Sequence, residues 1–137
     1  MIGIVIVAHG GLAREYRSAM EHVVGRMTGV ADIAIDADDN SRLRQAEIDA
    51  AVAAVDEGHG VVVVTDMFGS TPSNLAMGAC KRTDHRVLYG ANLPLLIKLA
   101  KARGLPLDAA IASALTAGRK YINSVEGFGG DGKTVAS

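Results

Sequence analysis

Short apolar runs alternate with longer amphipathic stretches along this chain. Residues 4–8 and 61–65 form two continuous runs rich in β-branched side chains, a pattern typical of strands that are buried on both faces. Residues 33–37 and 87–89 form weaker runs of the same kind, and residues 119–125 have the pattern of a final strand. The sequence therefore predicts five strands distributed over the whole chain.

The stretches between these strands have apolar residues at helical spacing. They predict five helices, with apolar positions at Tyr16, Met20, Val23, Val24 and Met27; Ile48, Ala51, Val52 and Val55; Ala76, Ala79 and Cys80; Leu95, Leu96 and Leu99; and Ala110, Ile111, Ala114 and Leu115. We expect Asn40 or Ser41 to cap the second helix and Asp108 to cap the last. Because strands alternate with helices, the fold class is α/β: an open, mainly parallel, doubly wound sheet in the flavodoxin-like order 2-1-3-4, with helices on both faces.

The composition narrows the class of protein. A length of 137 residues with 49 % hydrophobic and 21 % charged content is that of one globular domain. We place this domain at residues 1–125 and a Gly-rich, flexible tail at residues 126–137. The net charge of -1, the 4 % aromatic content and the absence of Trp are unlike the basic, aromatic surfaces that bind nucleic acid. We therefore expect no nucleic-acid partner.

The sequence predicts neither a disulfide nor direct membrane insertion. The single cysteine, Cys80, has no partner for an internal disulfide, and residues 1–4 lack the basic start of a secretory signal. The apolar runs are much shorter than the roughly 20 residues that cross a bilayer. We therefore expect a cytoplasmic protein.

Two polar residues directly follow the two strongest strands. His9 ends the first apolar run and Asp66 follows the third. In an open sheet of this order, ligands bind at the carboxyl ends of strands one and three, which lie only about 5 Å apart. A carboxylate that accepts a hydrogen bond from one imidazole nitrogen leaves the other nitrogen unprotonated and nucleophilic. The pair therefore predicts a histidine that attacks phosphorus, with both residues in catalytic roles.

The residues around this pair fit a phosphoryl group. Glycines after His9 allow close approach of the backbone, and the turn after Asp66 supplies hydroxyls, amides and a helix N-terminus. The phosphate-binding residues predicted in this way are Gly10, Phe68, Gly69, Ser70 and Thr71. Phosphoryl transfer depends on positioning and charge stabilisation. We expect no metal and no organic cofactor.

Three blocks of sequence carry a resemblance to a known family. Residues 4–10 (IVIVAHG), 62–74 (VVVTDMFGSTPSN) and 90–96 (GANLPLL) resemble the IIA component of the mannose family of the bacterial phosphoenolpyruvate:sugar phosphotransferase system. The blocks come in the family order and spacing, and the resemblance extends over roughly the first 125 residues. The chain departs from many members in having Ala8 before the histidine and Phe68 in place of a Trp.

The resemblance implies a phosphotransferase that carries phosphate on a protein histidine. His9 corresponds to the phosphorylated residue and Asp66 to the carboxylate that orients it. The histidine would accept phosphate from the phosphocarrier protein HPr and pass it to a IIB domain or protein, for sugar uptake or regulation. The resemblance also implies a homodimer that exchanges a C-terminal strand, here residues 119–125. Because the chain ends without a IIB domain, we expect it to act through a separate IIB protein or to serve as a regulatory phosphoprotein.

Other functions remain open at this point. The IIA-like subunit of dihydroxyacetone kinase also uses a strand-one histidine, although the turn at residues 68–72 favours the sugar-transport branch. A small metal chelatase would need a second histidine in the crevice, whereas His22, His59 and His85 are interpreted as solvated surface residues. A receiver-like module would phosphorylate Asp66 itself, but it requires an acidic pair after the first strand.

A partial calcium-loop pattern also occurs in the chain. Asp36, Asp38, Asn40 and Glu47 match positions one, three, five and twelve of an EF-hand loop, but Ser41 replaces its turn glycine. The pattern is better interpreted as a polar loop that leads into the second helix.

Overall fold

The computed structural model describes residues 1–128 of the chain. Strands and helices alternate through most of it. In chain order they are β1 (Gly3–His9), α1 (Leu12–Val24), β2 (Val30–Ile35), α2 (Ser41–Val55), β3 (Val61–Thr65), α3 (Thr71–Ala79), β4 (His85–Leu88), α4 (Leu93–Lys101) and α5 (Leu107–Lys120).

The four strands form one sheet in the order β2-β1-β3-β4, and every pair of neighbours is parallel. This confirms the predicted α/β class and the predicted order 2-1-3-4. In the register of β1 and β3, Val7 pairs with Thr65. His9, two residues beyond Val7, and Asp66, one residue beyond Thr65, therefore emerge together at the carboxyl edge of the sheet.

The sheet has a hydrophobic core on each face because residues 4–8 of β1 and residues 61–64 of β3 are apolar on both faces. One core joins Ile4, Ile6, Val62 and Val64 to side chains of α1, α4 and α5. The other core joins Val5, Val7, Val61 and Val63 to side chains of α2 and α3. Two-sided burial makes β1 and β3 the rigid centre of the molecule, and the site stands at their ends.

Three helices begin at a side chain that accepts hydrogen bonds from the first turn. Asn40 caps α2, as predicted, Ser70 caps α3, and Asn92 caps α4. The prediction that Asp108 caps the last helix is wrong: α5 begins after Pro106, and Asp108 lies in its first turn. Proline fixes its own φ near the helical value, and the cap position is taken by Pro106, two residues earlier than the carboxylate pattern suggests.

The predicted strand at residues 119–125 is wrong at its first two residues, and residues 121–125 form no strand within the single chain. Arg119 and Lys120 belong to the last turn of α5. Basic side chains are favourable at a helix C-terminus because that end carries partial negative charge. A strand also needs a neighbour to pair with. Within this single chain, residues 121–125 do not pair with the outer edge of β4.

Two strands were predicted with the correct type but shifted limits. The second was expected at residues 33–37 and lies at Val30–Ile35, and the fourth was expected at residues 87–89 and lies at His85–Leu88. The limits follow the pairing with β1 and β3, which begins at their amino ends. Of the predicted tail at residues 126–137, residues 129–137 lie outside the described residues.

None of the helices in residues 1–128 combines the length and the apolar character that a membrane-spanning segment needs.

Candidate functional site

The site is built from the ends of β1 and β3. The Asp66 carboxylate takes the place of the next backbone carbonyl in the β1–β3 ladder, since its Oδ2 accepts from the main-chain N–H of His9 at 3.0 Å. The same oxygen lies 2.7 Å from Nδ1 of the His9 ring. The predicted meeting of the two side chains is thus present in the structure. One oxygen fixes both the backbone and the ring of His9.

The two partners differ in exposure. The Asp66 side chain is 12 % exposed, and the His9 side chain is 50 % exposed. The carboxylate is therefore held inside the edge of the sheet, while half of the imidazole faces outward. This arrangement orients a ring that remains reachable by another molecule.

The pKa of Asp66 lies below the ordinary value of an aspartate. Burial acts against this by raising the pKa, and Oδ1 is buried with no hydrogen-bond partner in the described part of the chain. The bonds from the main chain and ring of His9, together with attraction to that ring, outweigh burial and lower the pKa. Asp66 is therefore an anion at neutral pH.

An anionic Asp66 defines the proton arrangement of the ring. A carboxylate can only accept, so the nitrogen 2.7 Å from it, Nδ1, must carry the hydrogen. In the neutral ring Nε2 then has a free lone pair. The geometry can thus present one nucleophilic nitrogen on the exposed side of a fixed ring.

Two of the predicted phosphate-binding residues are glycines with positive φ. Gly10 has φ of 54° and Gly69 has φ of 82°, conformations that other residues rarely adopt. The N–H of Gly10 donates to the Ile35 carbonyl at 2.9 Å, so it ties the turn to β2. Both glycines let the chain turn sharply beside the His9–Asp66 pair.

Ser70 and Thr71 occupy different positions at the start of α3. The Ser70 hydroxyl donates to the Met67 carbonyl at 2.6 Å and accepts from the N–H of Ser73 at 3.5 Å. Its single proton is therefore in use, and ligation of an anion would require the bond to Met67 to break. Thr71 is exposed and lines the same cavity as His9.

Phe68 lies on the rim of the site. Its side chain is among the exposed large hydrophobic residues, at 60 % exposure, and its ring packs against that of Tyr89 with centroids 4.7 Å apart. Met67, Leu12 and Leu43 are exposed as well and lie in the segments that follow β3, β1 and β2. Apolar side chains exposed around a reactive group are typical of a surface that contacts another protein.

A cavity of about 370 Å³ adjoins His9, and sequence reasoning missed it. It lies between the end of β1, the loop after β2 and the starts of α2 and α3, with lining residues His9, Ile35, Asp36, Ala37, Asp39, Ser41, Arg44, Thr71 and Leu75. The strand order could have predicted this cavity, because the segment after β2 must emerge at the same edge of the sheet as the segments after β1 and β3.

The predicted surface role of the other histidines is wrong for His85. Its side chain is 7 % exposed, and its Nε2 lies 3.4 Å from Asp56 at the amino end of β4. This position is at the opposite edge of the sheet from His9. Within residues 1–128, no three His, Cys, Asp or Glu side chains converge on a common point that would hold a metal ion.

The residues of the calcium-loop pattern serve local roles. The Asn40 side chain accepts from the N–H groups of Arg42 and Leu43, and the Glu47 carboxylate pairs with Arg44 at 2.6 Å. These groups point to the cap and the flank of α2, in agreement with the interpretation as a polar loop.

Comparison with known proteins gives one consistent family. A family model named EIIA-man, described as the PTS system fructose IIA component, matches residues 3–116. The mannose-specific EIIAB component of the PTS from Escherichia coli K12 is 27 % identical over 128 residues, covering 91 % of this chain and 40 % of that protein. The corresponding protein of Shigella flexneri matches equally. This chain thus spans 40 % of the length of these relatives.

Solved structures with the same fold agree. The mannose/sorbose-specific IIA subunit from Enterococcus faecalis superposes with a TM-score of 0.81 at 25 % identity, covering 91 % of this chain and 95 % of that one. An EIIA component from Streptococcus agalactiae gives a TM-score of 0.76 at 27 % identity, covering 90 % and 97 %.

Proposed function

Since this chain belongs to the EIIA-man family of phosphotransferase system IIA components, we propose that it is a phosphoryl carrier that accepts phosphate on His9 in the cytoplasm. The donor is the phosphohistidine of HPr, and the acceptor is a IIB domain or protein. The observation that carries the proposal is the 2.7 Å contact of Nδ1 with a buried carboxylate on a ring that is half exposed.

In the proposed step, the lone pair of His9 Nε2 attacks phosphorus. A bond from Nε2 to phosphorus forms, the bond from phosphorus to the donor histidine breaks, and the donor ring leaves with the electron pair. The Nδ1 proton stays between His9 and Asp66, where the carboxylate balances the positive charge that develops on the ring. In transfer to the IIB partner, a nucleophile of that partner attacks phosphorus, the bond from phosphorus to Nε2 breaks, and Nε2 keeps the electron pair.

The roles of the remaining predicted residues follow from their positions. Gly10 and Gly69 let the backbone approach the phosphoryl group, and Thr71 offers its hydroxyl from the cavity side. Ser70 contributes chiefly by capping α3. Phe68 forms part of the exposed apolar rim that a carrier protein would contact.

Phosphorylation in a reconstituted relay tests this proposal. Incubation with phosphoenolpyruvate, the general phosphotransferase enzyme and HPr should place one acid-labile, base-stable phosphate on the chain. His9→Ala should remove the label, and His22→Ala, which alters a histidine of α1, should retain it. Labelling of His9→Ala to the wild-type level would contradict the assignment of His9.

We also propose that the chain forms a homodimer through the outer edge of β4. A mostly apolar groove of about 390 Å³ runs beside β4 and α5, lined by residues that include Val87, Leu95, Ile111 and Leu115. Ile122 and Val125, just beyond α5, are exposed. The corresponding segment of a second copy would cover the groove and pair with the edge strand.

The dimer has its own test. Light scattering after gel filtration should give twice the chain mass for the full protein and the monomer mass for a chain that ends after Lys120. A full-length monomer at high micromolar concentration would contradict the dimer and leave the role of His9 unaffected.

A further inference from the structure

Arg44 lies beside the proposed phosphoryl site. It lines the cavity of about 370 Å³ together with His9 and Thr71. Among the described residues that line this cavity, Arg44 carries the one permanently positive side chain. It reaches the cavity from α2, the helix that follows the loop after β2.

The guanidinium of Arg44 is held from two sides. Its Nε donates to Oδ2 of Asp39 at 3.0 Å, and its Nη1 donates to Oε2 of Glu47 at 2.6 Å. Asp39 is itself fixed, because the same Oδ2 accepts from the main-chain N–H of Asp36 at 2.7 Å. These bonds use Nε and Nη1, which leaves the N–H groups of Nη2 for a further acceptor. Arg44 is therefore a donor set in place before any ligand arrives.

Acidic side chains around the site make the positive charge of Arg44 favourable for binding a phosphoryl group. Asp66 from β3, Asp36 and Asp39 from the loop after β2, and Glu47 from α2 are all acidic. A phosphoryl group on His9 adds roughly 1.5 to 2 further negative charges at neutral pH. Asp36 and Asp39 line the same cavity, so without a cation that charge would face these like charges. Arginine is suited to this contact because its planar donors match phosphoryl oxygens.

We propose that Arg44 binds the phosphoryl group carried by His9, with Nη2 donating to a phosphoryl oxygen while Asp39 and Glu47 hold the guanidinium. This inference rests on the proposed phosphorylation of His9. It assigns to α2 a part of the site that the His9–Asp66 pair does not supply. Arg44 stabilises the phosphorylated form and the transfer step, and it has no role in setting the ring tautomer.

The kinetic test compares three variants in the reconstituted relay. Arg44→Gln should slow transfer from phosphorylated HPr by roughly 10- to 100-fold, the range expected for loss of a hydrogen bond between charged groups. Arg44→Lys should recover part of the rate, because the charge remains while the planar fork is lost. Arg42→Gln is the matched control: Arg42 is exposed on the same turn of α2 and is not a cavity residue, so its rate should stay within about twofold.

A phosphorus NMR titration separates phosphoryl binding from a structural role. A guanidinium beside the phosphoryl group favours its dianion, so the second ionisation of phosphorylated His9 should move to higher pH in Arg44→Gln. Arg42→Gln should titrate like the wild type. A residue that only stabilised α2 would lower the melting temperature and leave this titration unchanged.

The outcomes distinguish the two proposals. If wild-type protein takes no phosphate on His9, the proposed function fails. If His9 is phosphorylated normally and Arg44→Gln matches the wild type in rate and titration, the role of Arg44 is refuted. Should Arg44→Gln not fold, an unchanged rate and titration in Arg44→Lys would refute the planar-donor contact in the same way.

Discussion

Each of the two edges of the sheet has an ionised side chain that bonds to the backbone, but the groups bound by these two side chains differ. At the amino edge, Arg103 is 6 % exposed and donates from Nε to the Ile2 carbonyl at 2.7 Å and from Nη2 to the Gly29 carbonyl at 3.2 Å. At the carboxyl edge, Asp66 accepts from the main chain and ring of His9. Arg103 is enclosed, whereas the ring held by Asp66 is half exposed.

Arg103 and Asp66 are both charged and largely buried, and they differ in the groups to which they bond. Both side chains hold neighbouring segments together, and burial acts against the charge of each: it lowers the pKa of Arg103 and, taken alone, raises that of Asp66. Arg103 bonds only to backbone carbonyls in the interactions described, so it closes the edge. Asp66 bonds to a side chain whose second nitrogen remains available. We therefore propose that the partner of the buried charge, a histidine ring at one edge and backbone carbonyls at the other, decides which edge is reactive.

The largest effect is expected at the carboxyl edge. Asp66→Ala should slow phosphoryl transfer about 10- to 100-fold, because the ring loses the charge-assisted bond that fixes Nδ1. The protein should still fold, since both cores are untouched. Asp38→Ala, at an exposed position in the loop after β2, is the control and should retain the wild-type rate. Rapid-quench measurement of transfer from phosphorylated HPr gives the rates, and an unchanged rate in Asp66→Ala would remove that residue from the mechanism.

The amino edge should respond in stability instead. Arg103→Met should lower the free energy of unfolding by about 2–3 kcal/mol, because two carbonyls lose their charged donor. Phosphoryl transfer by the folded variant should be unchanged. Arg86→Met, which removes an exposed ion pair with Asp108, should cost less than about 1 kcal/mol. Urea unfolding measures both. Equal losses of unfolding free energy in the two variants would contradict a stabilising role for the bonds of Arg103 to the two backbone carbonyls.

A smaller effect is expected where the carboxyl edge depends on a helix cap. Asn40→Ala should lower the free energy of unfolding by about 1 kcal/mol, since its side chain accepts from Arg42 N–H and Leu43 N–H. Asn40→Asp keeps an acceptor and should lose much less. Chemical denaturation distinguishes them, and identical stabilities of the Ala and Asp variants would contradict the cap.

The smallest effect concerns pH. The pKa of Asp66 is lowered in the folded protein, so the stability gained from its bond to the ring is present above about pH 4 and is lost as the pH falls through the folded value. The difference in melting temperature between wild type and His9→Ala should therefore shrink below pH 4. Calorimetry from pH 7 to pH 2 checks this, and a constant difference would contradict the ring bond as its source.

The sequence contained enough information to predict the centre of the molecule. Residues 4–8 of β1 and residues 61–64 of β3 are buried on both faces and therefore apolar, and His9 and Asp66 mark the carboxyl edge. Parallel pairing then required His9 and Asp66 to meet. Local rules sufficed there because burial and topology impose the same pattern.

The periphery was less predictable because tertiary contacts decide it. Arg44 lines the cavity beside His9 only because α2 packs back toward that residue, and its charge alone was indistinguishable from that of a solvated helix face. The His85 side chain is 7 % exposed and contacts Asp56, from a segment 29 residues earlier in the chain. The C-terminal segment after Lys120 depends on what pairs with β4, which no local pattern specifies.

The position of the phosphate on the ring shows whether His9 acts through Nε2 while Asp66 holds Nδ1. Phosphorus and nitrogen NMR of the phosphorylated protein identify both the histidine and the ring nitrogen that bears the phosphate. Because Asp66 holds Nδ1, we expect phosphate on Nε2 of His9. Phosphate on Nδ1, or on a residue other than His9, would contradict it.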